Sequence, residues 1–450
     1  MVSTTQITNT PNQAVSTVPH VIVIGGGFGG LQAAKALGKL AVRVMVIDKQ
    51  NSHVFQPMLY QVATAGLSPA DIATPIRHIL RKQHNTEVVM EQVTGIDMQE
   101  QRVLMHNQAL HYDYLIIATG ASNNYFHHPE WQQHAPGLKS LADALEIRRT
   151  ILNAFEAAER EPDEEKRREL LTFVLVGGGP TGVELAGALA ELVQYTLRRD
   201  FQHIRPEIAR IVLVEGESRI IPTFPASLTS KARRKLQEMG VEIRSGVHVE
   251  EIHEDYVMIG DQKLATRNVI WTAGVKASPA GQWLHAQVDH DGRVKVQPDL
   301  TLPDHQNVFV IGDTALVMQN GKPLPGVAPV ALQEGRYVAK VIADRLAGRT
   351  NTPAFHYYDK GMLATVGRSF GIVDVGPFHF TGLFAWIFWL FVHIFFLIGF
   401  RNRIAVLFQY AWEYFTYQRG ARIILATDDI RSARSSTSAR ERRRHKAGTR

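Results

Sequence analysis

Two glycine-rich turns constrain this chain more than any other feature. VIVIGGGFGG at positions 21–30 and FVLVGGGPTG at 173–182 each follow a short apolar strand and open a helix of small residues. Each contains GxGxxG, as Gly25, Gly27 and Gly30 and then as Gly177, Gly179 and Gly182. The strand-turn-helix context is what gives this pattern meaning. Glycine lets backbone N–H groups come close to a pyrophosphate, and the helix N-terminus adds positive potential there. For either copy alone, a glycine-rich turn without ligand is the alternative. Two copies predict two dinucleotide sites and an α/β fold with two Rossmann-like domains.

A chain of 450 residues, 45% of them hydrophobic, has core enough for two or three domains. Its formal net charge of +6 suggests nucleic acid until residues 431–450 are separated out. That segment holds eight Lys or Arg and one acid, so the remainder is close to neutral and nucleic acid is not an expected partner. Residues 1–18 are rich in Thr, Asn and Gln and have neither a basic start nor an apolar core, so no secretory signal is read and a cytoplasmic position is expected. The chain has no cysteine, which excludes disulfide relays and thiolate-held iron–sulfur clusters. His53, His78 and His393 lack ligand spacing, and no metal centre is expected.

After the first turn, a helix is predicted over 29–39 and a strand over 42–48 that ends in Asp48, eighteen residues beyond Gly30. A carboxylate there suits a ribose diol, the alternative being an ordinary strand-end acid. Residues 86–105 alternate like a meander, and 110–122 reads as a buried strand meeting a glycine turn. Helical periodicity over 140–169 ends in the solvated run EREPDEEKRRE and predicts a connecting helix and linker. The order then repeats: strand 172–176, helix 182–199 and a strand ending in Glu215. Here the acid follows Gly182 by thirty-three residues rather than about twenty, and the insertion RRDFQHIRPEIAR accounts for the excess. A second meander covers 241–271, and NVFVIGDTA at 307–315 is one more buried strand, with Asp313 just past Gly312.

The run LFAWIFWLFVHIFFLIGF at 383–400 has only His393 as a polar member. As one helix it would be about 27 Å long against a hydrocarbon core of about 30 Å, which leaves spanning and interfacial readings open. The next stretch is amphipathic, with Gln409, Glu413 and Thr416 on one face and Leu407, Phe408, Trp412 and Phe415 on another. Such a helix suits a headgroup plane, and Arg401, Arg403 and the basic tail add attraction to anionic cytoplasmic lipid. A dimerisation or core helix pair is the alternative.

With these pieces placed, the chain resembles the type II NADH:quinone oxidoreductases over about residues 19–425. GGGFGG, HVFQPMLYQVATAG at 53–66, IIATG at 116–120, GGGPTGVELAGALAE at 177–191, WTAG, VFVIGDTA and LIGFRNR carry the likeness. The PMLYQVATAG segment and the C-terminal region are its narrower signals. The resemblance implies an FAD domain in two parts, 19–150 and 301–372, with an NADH domain at 171–300 inserted through a linker or helix at 151–170. It further implies membrane-binding helices at 373–425, between a disordered N-terminus at 1–18 and a basic disordered tail at 426–450. Gly25, Gly26, Gly27, Phe28, Gly29 and Gly30 would hold the FAD pyrophosphate, Asp48 its adenosine ribose, the Val93 backbone its adenine and Asp313 its ribityl chain. Lys49, Gly120, Gly312, Ala328 and Gly274 complete the cofactor contacts. For Asp313 a helix N-cap remains the alternative.

Gly177, Gly179 and Gly182 would hold NADH, with Glu215 on its ribose and no Arg immediately following, which favours NADH over NADPH. Glu184 would stand beside the nicotinamide and flavin, orienting NADH or helping to deliver protons; its alternative is to complement the helix dipole. The family pattern AQxAxQ reads APVALQ at 328–333, so Ala328, Ala331 and Gln333 match while Pro329 replaces the first glutamine. Gln333 would face the quinone, or else be a plain surface residue. The implied activity is two-electron transfer from NADH through FAD to a membrane quinone in the respiratory chain, without proton pumping, at the cytoplasmic face of the inner membrane. The protein would be peripheral or monotopic there, and a homodimer is left open. Two rivals share the fold: a reductase of a soluble electron carrier, and an apoptosis-inducing-factor-like protein with mainly a binding role.

Overall fold

The structure is a computed structural model that describes residues 18–198, 200–349, 351–398, 400–416 and 419–424. The expected basic tail at 426–450, and the N-terminal segment apart from Val18, lie outside the described residues. The chain forms two compact units. The first comprises residues up to Phe55, Ala73–Asn124 and Gly274–Gly361; the second comprises Gln56–Ile72, Tyr125–Ala273 and the chain from Met362 onward.

The first unit is built on a six-stranded sheet in the spatial order Thr301–Leu302, His305–Val310, Tyr114–Ile117, His20–Ile24, Arg43–Asp48 and Thr86–Met90. All neighbours are parallel except the first pair. HVIVI at 20–24 is buried at every position, as a parallel strand covered on both faces requires. Helices Phe28–Leu37 and Ala328–Leu346 pack on each other through Gly335, where a Cβ would lie 2.3 Å from the Gly29 carbonyl oxygen. The expected meander at 86–105 is divided. Thr86–Met90 joins the parallel sheet beside Arg43–Asp48, and the antiparallel set is Val93–Asp97, Arg102–Met105 and Ala109–His111. Alternation could not separate them, because an edge strand of the main sheet is half exposed like a meander strand.

The second unit repeats this plan. Its parallel strands run in the order Val241–Ser245, Arg210–Glu215, Thr172–Val176 and Asn268–Trp271. An antiparallel triplet, Val249–Ile252, Tyr256–Ile259 and Gln262–Ala265, again lies between the third and fourth parallel strands in sequence. Of the linker or helix expected at 151–170, the structure has helix: Leu141–Arg160 is one helix, closed at its start by a Ser140–Asp143 capping box, and Glu164–Leu170 is another. The first buries Ile147, Ile151 and Phe155 at helical spacing, so it is part of this unit's core. The chain returns to the first unit at Gly274, earlier than residue 300, and residues 56–72 leave the first unit altogether. The predicted helix 182–199 begins sooner, at Pro180, and gives way after Glu191 to a single π-turn at Leu192–Thr196.

Beyond Met362 come an antiparallel triplet, Met362–Thr365, Gly371–Val375 and Phe378–Gly382, and two helices. The apolar run 383–400 is not one helix. Leu383–Phe396 stops where Leu397 turns extended, and Phe400–Thr416 starts anew. Fourteen residues reach about 21 Å, and no described helix is long and apolar enough to cross a membrane. Ala385, Trp386 and Trp389 face inward, while Phe384, Phe388, Phe391 and Phe395, at spacings of three and four, stay exposed. On the second helix Val406 and Tyr410 are buried and Leu407, Phe408 and Trp412 exposed; Gln409, expected on the water-facing side, donates to the Gly66 carbonyl at 2.6 Å.

Candidate functional site

Each glycine of the two turns has a separate steric reason. Gly25 and Gly177 sit at φ +101° and +106°, a region that side chains rarely adopt. A Cβ on Gly30 or Gly182 would lie 1.9 Å from the carbonyl oxygen of Gly25 or Gly177, so both helices can begin only with glycine there. Gly27 and Gly179 are the opposite case, with nothing within 4 Å of an added Cβ. The turn is thus tight everywhere except at the residue a pyrophosphate must approach. Neither following helix has an acid in its first turn to cancel the positive potential of its N-terminus. These residues fit two dinucleotides.

The acids close both turns in the same way. One Asp48 oxygen accepts from Gly26 N–H at 2.6 Å and the other from Gln50 N–H at 2.7 Å. Glu215 accepts from Gly178 N–H at 2.6 Å and from Glu217 N–H at 2.9 Å. The longer sequence spacing therefore leaves the geometry unchanged, since the π-turn and the loop to residue 209 absorb it. Each oxygen keeps a lone pair for a ribose hydroxyl. Lys49 beside Asp48 is exposed, and Phe28 packs edge-on against His53 and Phe55.

Further along the first unit, Gly120, Gly274 and Gly312 all take left-handed φ. Asp313 lies in a three-residue turn, Gly312–Thr314, that runs into an extended segment, so it does not cap a long helix. Together with Gly312, Gly326 and Arg293 it lines a cavity whose wall includes Glu334. Sequence reasoning missed Glu334. Only 1% exposed, it accepts from Gly312 N–H at 2.5 Å, and burial, reinforced by the Asp313 charge, raises its pKa to about 8. Val93 is buried in its strand, and Ala328 is half-buried as the first residue of its helix. Pro329 follows within the first helical turn, where a missing N–H costs nothing.

Gln333 is not a free surface residue. Its Nε2 donates to the Tyr358 carbonyl and its Oε1 accepts from Tyr358 N–H, both at 3.0 Å. Gln319 clasps Tyr357 in the same two-way manner. The expected quinone contact thus has its amide engaged with the backbone of its own unit.

Glu184 is the fifth residue of its helix, past the first turn, and is buried. Burial pushes its pKa up to about 8, opposed by a hydrogen bond from Thr365 N–H. Beside it the Tyr60 hydroxyl, whose pKa is also raised by burial and by Glu184, meets Thr365 Oγ1 at 3.1 Å and accepts from Gln61 Nε2 at 2.8 Å. One helical turn on, buried Arg419 donates to the carbonyls of Thr64 and Ala188 and pairs with Glu191 at 3.1 Å. No spacing announces this set. Tyr60 lies within the PMLYQVATAG signal and Glu191 ends the GGGPTGVELAGALAE motif, but Thr365 and Arg419 carried no sequence mark.

A model of the pyridine nucleotide-disulphide oxidoreductase family matches residues 19–335. Two proteins of Mycobacterium tuberculosis are similar over most of the chain. Type II NADH:quinone oxidoreductase Ndh is 42% identical over 416 residues, 89% of this chain and 89% of the relative. Type II NADH:quinone oxidoreductase NdhA is 42% identical over 424 residues, 90% of this chain and 89% of the relative. Among solved structures, NDH2 from Plasmodium falciparum in complex with NADH has a TM-score of 0.83 at 20% identity and covers 91% of this chain and 100% of its own. The sulfide:quinone oxidoreductase of Aquifex aeolicus has a TM-score of 0.70 at 19% identity, covering 88% and 95%. These structural likenesses speak to the fold.

Proposed function

We infer the activity from one premise: this chain belongs to the pyridine nucleotide-disulphide oxidoreductase family and, within it, to the type II NADH:quinone oxidoreductases. It transfers two electrons from NADH through FAD to a quinone. The disulfide chemistry in the family's name is closed to a chain without cysteine, so the electrons leave to an acceptor that needs no protein thiol. FAD, when bound, supplies the exchange between a two-electron donor and its acceptor. The net reaction, NADH + H⁺ + quinone → NAD⁺ + quinol, takes up one proton per turnover.

The chain's own residues position the substrates and hold that proton. Gly25 to Gly30 with Asp48 and Asp313 form the FAD seat, and Gly177 to Gly182 with Glu215 form the NADH seat. The duplicated turn, open only at Gly27 and Gly179, is the observation that carries this reading. Glu184, Tyr60 and Thr365 form a dry, hydrogen-bonded group in which a carboxyl titrating near 8 holds a proton at neutral pH. Gln333 shapes the Tyr358 segment rather than grasping the quinone itself. The exposed Phe384, Phe391, Phe408 and Trp412 lie in the headgroup region of a bilayer at the cytoplasmic face, and no vectorial proton transfer is included. Purified full-length protein should oxidise NADH rapidly with a short-chain quinone. Oxidation that instead requires a soluble iron–sulfur protein, or that stays slow with every quinone, would replace this function with one of its two rivals.

A further inference from the structure

The two glycine turns share most of their hydrogen bonds and differ at two carbonyls. Gly25 N–H donates to Ile47 and Gly177 N–H to Val214, both at 2.8 Å; Leu31 and Val183 N–H close onto Gly27 and Gly179, both at 3.0 Å. The N–H of each second glycine goes to its acid at 2.6 Å. What differs is the first glycine's carbonyl, which accepts from Thr272 Oγ1 at 2.9 Å in the NADH turn while Ala118 stands against it in the FAD turn, and the donor to the second glycine's carbonyl oxygen. In the NADH turn Gly178 accepts from the backbone N–H of Ile221 at 2.7 Å. In the FAD turn Gly26 faces the Nδ1 of His53 at 2.9 Å.

A carbonyl only accepts, so Nδ1 carries the proton and Nε2 is left as a bare acceptor. Nε2 is buried and has no hydrogen-bond partner among the described residues. Burial, with Lys35 adding to it, holds the ring neutral and lowers its pKa to about 4 against the pull of the Gly26 carbonyl. An orphaned buried acceptor is a standing cost, and the ring's position is explained by the bond on its other side. That bond fixes a whole peptide plane. In a trans peptide the carbonyl of Gly26 and the N–H of Gly27 point in opposite directions, and the described chain has no cis bond. Anchoring one therefore aims the other. Gly27 is the residue with open space before it, and glycines on both sides would otherwise let this plane turn at little cost.

We propose that His53 is a positioning residue that aims the Gly27 N–H at the FAD pyrophosphate, a task that a backbone N–H performs in the NADH turn. It rests on FAD occupying the first turn. The test uses the full chain with His53→Leu and His53→Asn, whose side chains share the same branched shape of four heavy atoms while only Asn brings an N–H donor. Flavin per protein after desalting, the FAD Kd and the NADH Kd from tryptophan quenching are measured for each. The Leu variant should bind FAD roughly tenfold or more weakly, the effect of leaving a buried carbonyl unmet. The Asn variant should stay near wild type, and both should keep the wild-type NADH Kd. Wild-type flavin retention in the Leu variant, or equal loss in both variants, overturns the proposal. Should the Leu variant not fold, the Asn variant alone decides, and loss of flavin there overturns it. A wild-type protein that holds no FAD would instead overturn the reading on which the proposal rests.

Discussion

Three acids, Glu184, Glu191 and Glu334, have their pKa raised by desolvation, and of these Glu184 lies nearest a chain of hydroxyls. Its folded pKa of about 8 lies above its unfolded value, so its contribution to stability is fully present at low pH and is lost as pH rises toward 8. Glu184→Gln should therefore gain thermal stability relative to wild type at pH 8 and above, read as a melting shift across a pH series; a shift independent of pH would place Glu184 in a wet or paired site. If the carboxyl hands its proton to the quinone, wild-type quinone turnover falls as pH rises through 8. Glu184→Gln should be slower by roughly 10²-fold and lack that limb, as expected on losing a general acid. At the turns, Gly27→Ala and Gly179→Ala separate the two ligands. Neither Cβ meets protein, so both variants should fold, the first losing FAD and the second keeping flavin while its NADH Kd rises roughly tenfold. Loss of the same ligand in both would refute the assignment of turns.

Among the elements, the two C-terminal helices have each residue type on a definite side. Trp386, Trp389, Val406 and Tyr410 face inward, and Arg419 just beyond ties the segment to Thr64, Ala188 and Glu191. Truncation after Gly376 would strip the strand Phe378–Gly382 and these core side chains, so it cannot isolate a membrane contact. Substitution on the outer face can. Phe391, Phe408 and Trp412 are 69, 71 and 62% exposed, and burying a large apolar side chain contributes about 1.5–3 kcal/mol. Changing each to Asp should lower partitioning onto anionic vesicles roughly tenfold per site, with flavin content unchanged. Undiminished vesicle binding of the triple variant would locate the contact elsewhere. The break at Leu397 had one mark in the sequence, Gly399 just beyond it, and it was easily passed over because LFAWIFWLFVHIFFLIGF carries no charge or proline.

At the scale of the whole chain, one plan is used twice, and what made it legible was local. A glycine held at positive φ, a fully buried parallel strand and an acid at the next strand's end all lie within about forty residues of each other in both units. Contacts between distant segments were not legible. Tyr60 and Thr365 are 305 positions apart, and Arg419 and Glu191 are 228 apart. Glu334, one residue beyond a motif that was noticed, differs from a surface acid only through its burial. On the function proposed above, the two seats of this duplicated plan have unequal roles: FAD stays while NADH and quinone exchange. An anaerobic spectrum of the purified chain tests this most directly. The account predicts bound-flavin absorbance that one equivalent of NADH bleaches and one equivalent of quinone restores. A protein that carries no flavin, or flavin that NADH bleaches but no quinone restores, would contradict it.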